Sequence, residues 1–249
     1  FDLLYCMFVR ILLALLLSVA CVAAAPASDR IIAHLGVVTT ATQAFADNGM
    51  QEAVVSLAPG DKLVVLSRSQ TVARILRTDG RELFVPLPHV RIAEPVTLRT
   101  AIDRIRFFER MRSSDPAASA YYDEQAGPWV ALVARQLAIR NDAGELPDLD
   151  RTGWGGDTLP TLELKNNTSY SLRVYLVGPR TVTRTIAPRS TLTEDFAPGT
   201  YRVVVETTSG DVTPLRTNWK LETGYVHSIT LYIETTTVPV PVRVPGRRR

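Results

Sequence analysis

The sequence predicts a mainly β, multi-domain protein: a small β-barrel, a helical hairpin and a seven-stranded antiparallel β-sandwich. Three observations carry this. Residues 29–95 fall into short β-rich runs split by turn residues, residues 96–141 switch to helical spacing, and from Thr161 a period of two returns through seven strand-length segments. The boundaries that follow are a signal peptide over 1–27, a barrel over 28–95, a helical hairpin over 96–142, a linker over 143–160, a β-sandwich over 161–235 and a disordered Pro/Arg tail over 236–249.

The chain opens on an export signal. Arg10 precedes the apolar run ILLALLLSVACVAAA at 11–25, and Ala25-Pro26-Ala27 before Ser28 fits a small-residue cleavage site. The run is shorter than the roughly 20 apolar residues of a bilayer span, so cleavage is the expectation and a retained anchor the alternative. Met7, just ahead of Arg10, fits a start site. Ser18-Val19-Ala20-Cys21 resembles a bacterial lipobox, which implies lipidation of Cys21, although that family prefers Leu where Ser18 stands. The plainer reading makes Cys21 a small apolar member of the run. The expected location is therefore the periplasm, cell surface or medium, with membrane contact only through a retained signal or a lipidated Cys21.

Charge and cysteine usage narrow the partners. The formal charge is +3, yet Arg243, Arg247, Arg248 and Arg249 supply +4, leaving −1 for residues 29–242. A near-neutral body excludes nucleic-acid binding through a basic domain face. Cys6 and Cys21 are the only cysteines, so the mature chain carries no disulfide, thiolate metal site or cysteine nucleophile.

In the first region the strand candidates are GVVTTAT, EAVVSL, DKLVVLS, TVARILR and ELFVPL. They are separated by Asp47-Asn48-Gly49, Pro59-Gly60-Asp61 and the hairpin signal Asp79-Gly80. The stretch LAPGDKLVVLSRSQTVARILRTDGRELFVPLPHVRI resembles the second half of a Src-homology-3-like barrel of the bacterial exported type. Gly60-Asp61 and Gly80 match its turns, Phe84-Val85-Pro86 its aromatic-apolar-Pro segment and Val90 its closing apolar position. The resemblance implies a ligand groove at Phe84, Pro86 and His89. His89 stands where the family has an aromatic, and the family's tryptophan near TVARILR is absent.

In the second region Leu98, Ile102, Ile105, Phe108 and Met111 make one apolar helix face, with Arg99, Arg104, Arg106, Arg110 and Arg112 in other directions. That composition suits either packing with solvated arginines or contact with acidic lipid. Asp115-Pro116 reads as a cap and first helical residue. Gly127-Pro128 is expected to break or kink the second helix, which resumes through Trp129, Leu132, Val133, Gln136, Leu137 and Arg140.

The linker holds one metal-like pattern. Asp148, Asp150, Thr152 and Gly153 occupy calcium-loop positions, but Leu159 stands where the bidentate Glu belongs. No metal or cofactor is expected. The third region alternates cleanly, with Tyr170, Leu172, Val174 and Leu176 on one face and Ser171, Arg173 and Tyr175 on the other. Its segment FAPGTYRVVVE resembles the Pro-Gly-Thr-Tyr turn and strand of bacterial exported immunoglobulin-like or prealbumin-like modules. Asn166-Asn167-Thr168-Ser169 contains glycosylation sequons and also reads as a polar turn. The tail TTTVPVPVRVPGRRR favours extended polyproline geometry.

Chemistry is sparse. No G-x-S-x-G, H-E-x-x-H, C-x-x-C or phosphate loop occurs, and His34, His89 and His227 lie in different elements. His227 reads as a hydrogen-bonded core residue. Trp154, Tyr175 and Tyr232 are candidate sugar-stacking aromatics. The expectation is a non-enzymatic interaction or scaffold protein of the bacterial cell envelope, with an envelope protein or cell-wall polymer as partner. The alternatives are a glycan- or peptidoglycan-binding accessory protein and a wall-active enzyme with a dispersed site.

Overall fold

A computed structural model describes residues 30–140, 143–153, 158–209 and 212–232. The signal run, Cys21, Trp154 and the Pro/Arg tail lie outside the described residues.

The first region forms β1 (Ile31–Val38), β2 (Thr42–Phe45), β3 (Ala53–Leu57), β4 (Lys62–Arg68), β5 (Val72–Leu76), β6 (Glu82–Pro86) and β7 (Val90–Thr97), with a 3-10 turn at Leu87–His89. All pairings are antiparallel and the strand order is β3-β2-β6-β5-β4-β1-β7. Among the described residues no closed barrel forms, because β3 and β7 are sheet edges. β7 and most of β2 fall outside the strand runs read from the sequence, and GVVTTAT covers only the last three residues of β1. β1 and β7 pair through irregular register between Ile31 and Ala33 and between His34 and Gly36, and such bulges destroy the period of two. Pro95 and exposed Glu94 further disguise β7. The turns behave as their residues require: Gly60 has φ +95° and Gly80 φ +79°, with Asp79 Oδ1 accepting from the Arg81 amide at 3.0 Å.

Helix α1 spans Leu98–Ser114 and is capped by Thr97, whose hydroxyl accepts from the Thr100 amide at 3.1 Å. A 3-10 turn capped by Asp115 leads into α2, Ser119–Ala138. The expected break at Gly127-Pro128 does not occur; Pro128 lies inside α2. The missing proline N–H is outweighed by packing on two sides, since Val130 to Ala134 are buried without interruption. One apolar cluster explains this. It joins Ala33, Val64, Leu76 and Val96 of the first sheet, Ala101, Ile105, Leu132 and Leu137 of the helices, and Tyr175, Val177 and Val204 of the third region. The helical pair is therefore a shared middle layer.

The third region adds β8 (Gly144–Glu145), β9 (Asp150–Thr152), β10 (Thr161–Asn166), β11 (Leu172–Val177), β12 (Val182–Ile186), β13 (Thr191–Asp195), β14 (Gly199–Thr207), β15 (Leu215–Leu221) and β16 (Val226–Leu231). They make two sheets, β13-β10-β16-β9 and β12-β11-β14-β15-β8. All seven strand segments of the sequence are strands. The purely antiparallel expectation is corrected: β10–β16 and β15–β8 are parallel, so both sheets are mixed. The 143–160 stretch is more than a connection. The Gly144 amide donates to Pro214 O and the Leu146 amide to Arg216 O, both at 3.0 Å, and Leu146 joins the core between the sheets. Backbone pairing of this kind leaves no side-chain period to read. The calcium-like residues fall partly on β9, which pairs with β16.

Candidate functional site

A groove of about 850 Å³ with a partly apolar lining lies between the first sheet and the helical pair. That volume is ample for a ligand site. Val55, Ser56 and Leu57 of β3 line one wall, continued by Gly60, Asp61 and Lys62. Arg104 and Phe108 of α1 and Glu124, Gln125, Pro128 and Trp129 of α2 line the other.

Each wall has a local cause. Asp61 Oδ2 accepts from the Ala58 amide at 2.8 Å, which fixes the β3–β4 turn. Val55, Ser56 and Leu57 share the groove with Leu63 and Val64 of β4 and Ile75 and Leu76 of β5, so β3 brings its outer edge to a floor made by the sheet. Among the described residues β3 pairs with β2 alone, so this edge carries backbone donors and acceptors outside the sheet ladder. β3 reads AVVSL, without the charge or proline that usually blunts an edge. On the opposite wall the Arg104 guanidinium lies over the Trp129 ring, 5.8 Å from its centroid. Pro128 supplies no amide hydrogen to the Glu124 carbonyl, leaving a second backbone acceptor without its helical donor. The groove walls are held together from outside: Glu82 on β6 bridges Arg74 at 3.2 Å and Arg135 of α2 at 3.0 Å.

The residues expected from sequence fall elsewhere. Phe84 and Pro86 share the half-buried face of β6, where Phe84 opposes Phe45 and Pro86 opposes Val72. His89 sits in the adjoining 3-10 turn, its carbonyl accepting from the Thr39 amide at 2.8 Å. These three are near one end of the first sheet, outside the groove lining. Tyr232 follows β16 and is exposed. Tyr175 requires correction. It is 0 % exposed, because the helices cover its face of β11, and its hydroxyl donates to Glu206 Oε1 at 2.6 Å. Burial and the Glu206 carboxylate push that hydroxyl well above its ordinary pKa. Its ring faces no solvent and can stack on no sugar. His227 is buried as expected, its Nε2 accepting from the Glu222 amide at 2.9 Å.

A second polar cluster lies where α2 meets the two sheets. Asp123 pairs with Arg112, Arg180 and Arg184, and Glu194 pairs with Arg180 and Arg184. Burial acts to lower the Arg184 pKa, but hydrogen bonds to Glu194 and Asp123 prevail and raise it. Burial acts to raise the Glu194 carboxyl, but Arg184 and Arg180 prevail and hold it below the ordinary range. With its charges paired, this cluster is a clamp. Among the described residues no group of three or more His, Cys, Asp or Glu side chains gathers as a metal site.

Comparison with protein-family models, curated proteins and solved structures finds no match to this chain.

The sequence marks EAVVSL as a strand and Trp129 as a helix-face residue, but neither as part of a site. Edge status and the meeting of two elements are tertiary properties. The one local signal is the uncharged composition of β3 itself.

Proposed function

We propose that this chain is an exported, non-enzymatic interaction protein of the bacterial cell envelope that holds an extended segment of a partner protein along β3. The observation that carries this reading is that β3, which lines the groove through Val55, Ser56 and Leu57, is an edge strand among the described residues. A free strand edge offers main-chain hydrogen bonds to an added strand, and flanking apolar pockets select its side chains. Trp129, Phe108 and Leu57 supply the apolar contacts; Lys62, Glu94, Arg104 and Glu124 supply charge of both signs. Such a lining suits recognition of a peptide of mixed composition.

The module reading supports the same class. The β2–β3 hairpin inserted between β1 and β4, with a 3-10 turn between β6 and β7, is the connectivity expected of a Src-homology-3-like unit. Two mixed sheets around one core fit an immunoglobulin-like or prealbumin-like unit. We read both as binding scaffolds, joined by the helical layer. The export reading rests on the leading apolar run. The glycan-binding alternative loses Tyr175 as a stacking residue and keeps Tyr232.

The test is selection of peptides from a random library on the full chain, followed by hydrogen exchange. Selected peptides should slow amide exchange in Ala53–Leu57, and Trp129→Ala should weaken them. N-methylation of alternate peptide amides along one edge should abolish binding, whereas the other edge should tolerate it. Peptides that bind without protecting β3, or that tolerate methylation on both edges, would defeat the reading.

A further inference from the structure

We propose that the outward face of α1 rests on an anionic lipid surface. The inner face of α1 is spent on the shared core, through Leu98, Ala101, Ile102, Ile105 and Phe108. At 100° per residue the opposite face carries Arg99, Arg106, Phe107 and Arg110. All four are exposed, Phe107 at 47 %. Asp103 is the one acidic residue on this face, 3.6 Å from Arg106. Glu109 turns inward to Arg173. The face therefore carries +2 on a body whose residues 29–242 sum to −1. Concentrated positive charge beside an exposed aromatic suits anionic headgroups, with the ring at headgroup depth.

The attachment point of the upstream chain is an independent observation. Ile31, at the start of β1, pairs with Thr97, which caps α1. The preceding apolar run ends at Ala25, so residues 26–29 bridge at most about 17 Å to Arg30. If the run is held in a bilayer as a retained signal, the body is tethered beside the first turn of α1. Ile31 is itself exposed there. The tether raises the local concentration of the surface, so a modest intrinsic affinity suffices. Because the apolar side of α1 faces the core, contact comes from charge and Phe107, without insertion of the helix. Each of the three arginines should contribute about fivefold to partitioning near an anionic surface.

This inference rests on retention of the run, and one experiment separates the two. Full-length chain carrying Phe107→Trp is mixed with phosphatidylcholine vesicles containing or lacking phosphatidylglycerol, plus doxyl-labelled lipid. Tyr170→Trp, an exposed site on the sandwich, serves as control. Flotation reports the anchor, and quenching above the native tryptophan background reports the docked face. Docking predicts several-fold stronger quenching at 107 than at 170, requiring phosphatidylglycerol. High salt should diminish it, as should Arg99→Gln/Arg106→Gln/Arg110→Gln, whose fold circular dichroism would verify. Flotation with equal quenching at both sites overturns the docking while the anchor stands. Absence of flotation overturns both.

Discussion

The Arg184 guanidinium of β12 lies 3.2 Å from the Asp123 carboxylate of α2, 61 residues away, and 2.6 Å from Glu194 of β13. β12 and β13 are edge strands of different sheets. One side chain therefore ties the two sheets to each other and to the helical layer. Arg184 is 7 % exposed, so removing a partner leaves charge in a poorly solvated place. Asp123→Ala should destabilise the fold by about 3 kcal/mol, near the lower end for a broken buried pair. Urea denaturation of both proteins checks this; a loss below about 1 kcal/mol would mean the cluster behaves as a surface pair.

The same cluster sets an acid limit. Glu194 has a folded pKa below its unfolded value of about 4.5, so the folded state binds fewer protons. Its stabilising contribution is complete above that unfolded value and is lost as pH falls through the lowered one. Glu194→Gln should be less stable than wild type at neutral pH. The difference should close as pH drops below 4.5 and onward. Parallel denaturation midpoints across that range would test it, and a gap that stays constant would count against the pairing.

How much of this was legible depends on which contact decides each element. The seven strands from Thr161 to Leu231 were readable because the core between their sheets enforces alternation in Leu172, Val174 and Leu176. The other face of β11 misled. Arg173 and Tyr175 alternate like solvent-facing residues, yet helices bury both. Nothing local distinguishes a polar residue facing water from one facing an ion partner such as Glu109. The break expected at Pro128 does not occur, because packing on two sides carries the helix through it. The groove was illegible for a related reason: β3 and Trp129 become a site only when two distant elements meet. Half of the site's chemistry is backbone, which the sequence writes identically at every position.

Gly80 joins the first sheet to β11. It has φ +79°, and a Cβ there would stand 2.6 Å from Val177 Cγ1 of β11. Gly80→Ala should cost about 1–2 kcal/mol from the left-handed backbone alone, with further loss from the clash. Val177→Ala would relieve the clash and leave the backbone strain. The cost of Gly80→Ala should therefore be smaller in the Val177→Ala background, a coupling that a double-mutant cycle resolves. Strict additivity would show that the turn and β11 do not press on each other.

Asn166 is the last residue of β10 and 1 % exposed. Its Nδ2 donates to the carbonyls of Tyr170 at 2.8 Å, Ala187 at 2.9 Å and Ile186 at 3.2 Å. Its Oδ1 accepts from the Thr168 amide at 3.0 Å and hydroxyl at 2.8 Å. The first sequon asparagine is thus committed to closing the β10–β11 turn against the end of β12. Asn166→Ala should cost about 3 kcal/mol, because it strands several poorly solvated groups at once. Asn166→Asp is more discriminating. It keeps the acceptor for Thr168 but sets a second carboxylate oxygen against three carbonyls, which raises the folded pKa of the new acid. A raised folded pKa gives stability that is present at low pH and lost as pH rises. The Asn166→Asp protein should therefore become more stable, relative to wild type, as pH falls from neutral towards the ordinary aspartate range. Thermal melts at a series of pH values decide it. A deficit that does not shrink on acidification would mean that the side-chain amide is not donating to those carbonyls.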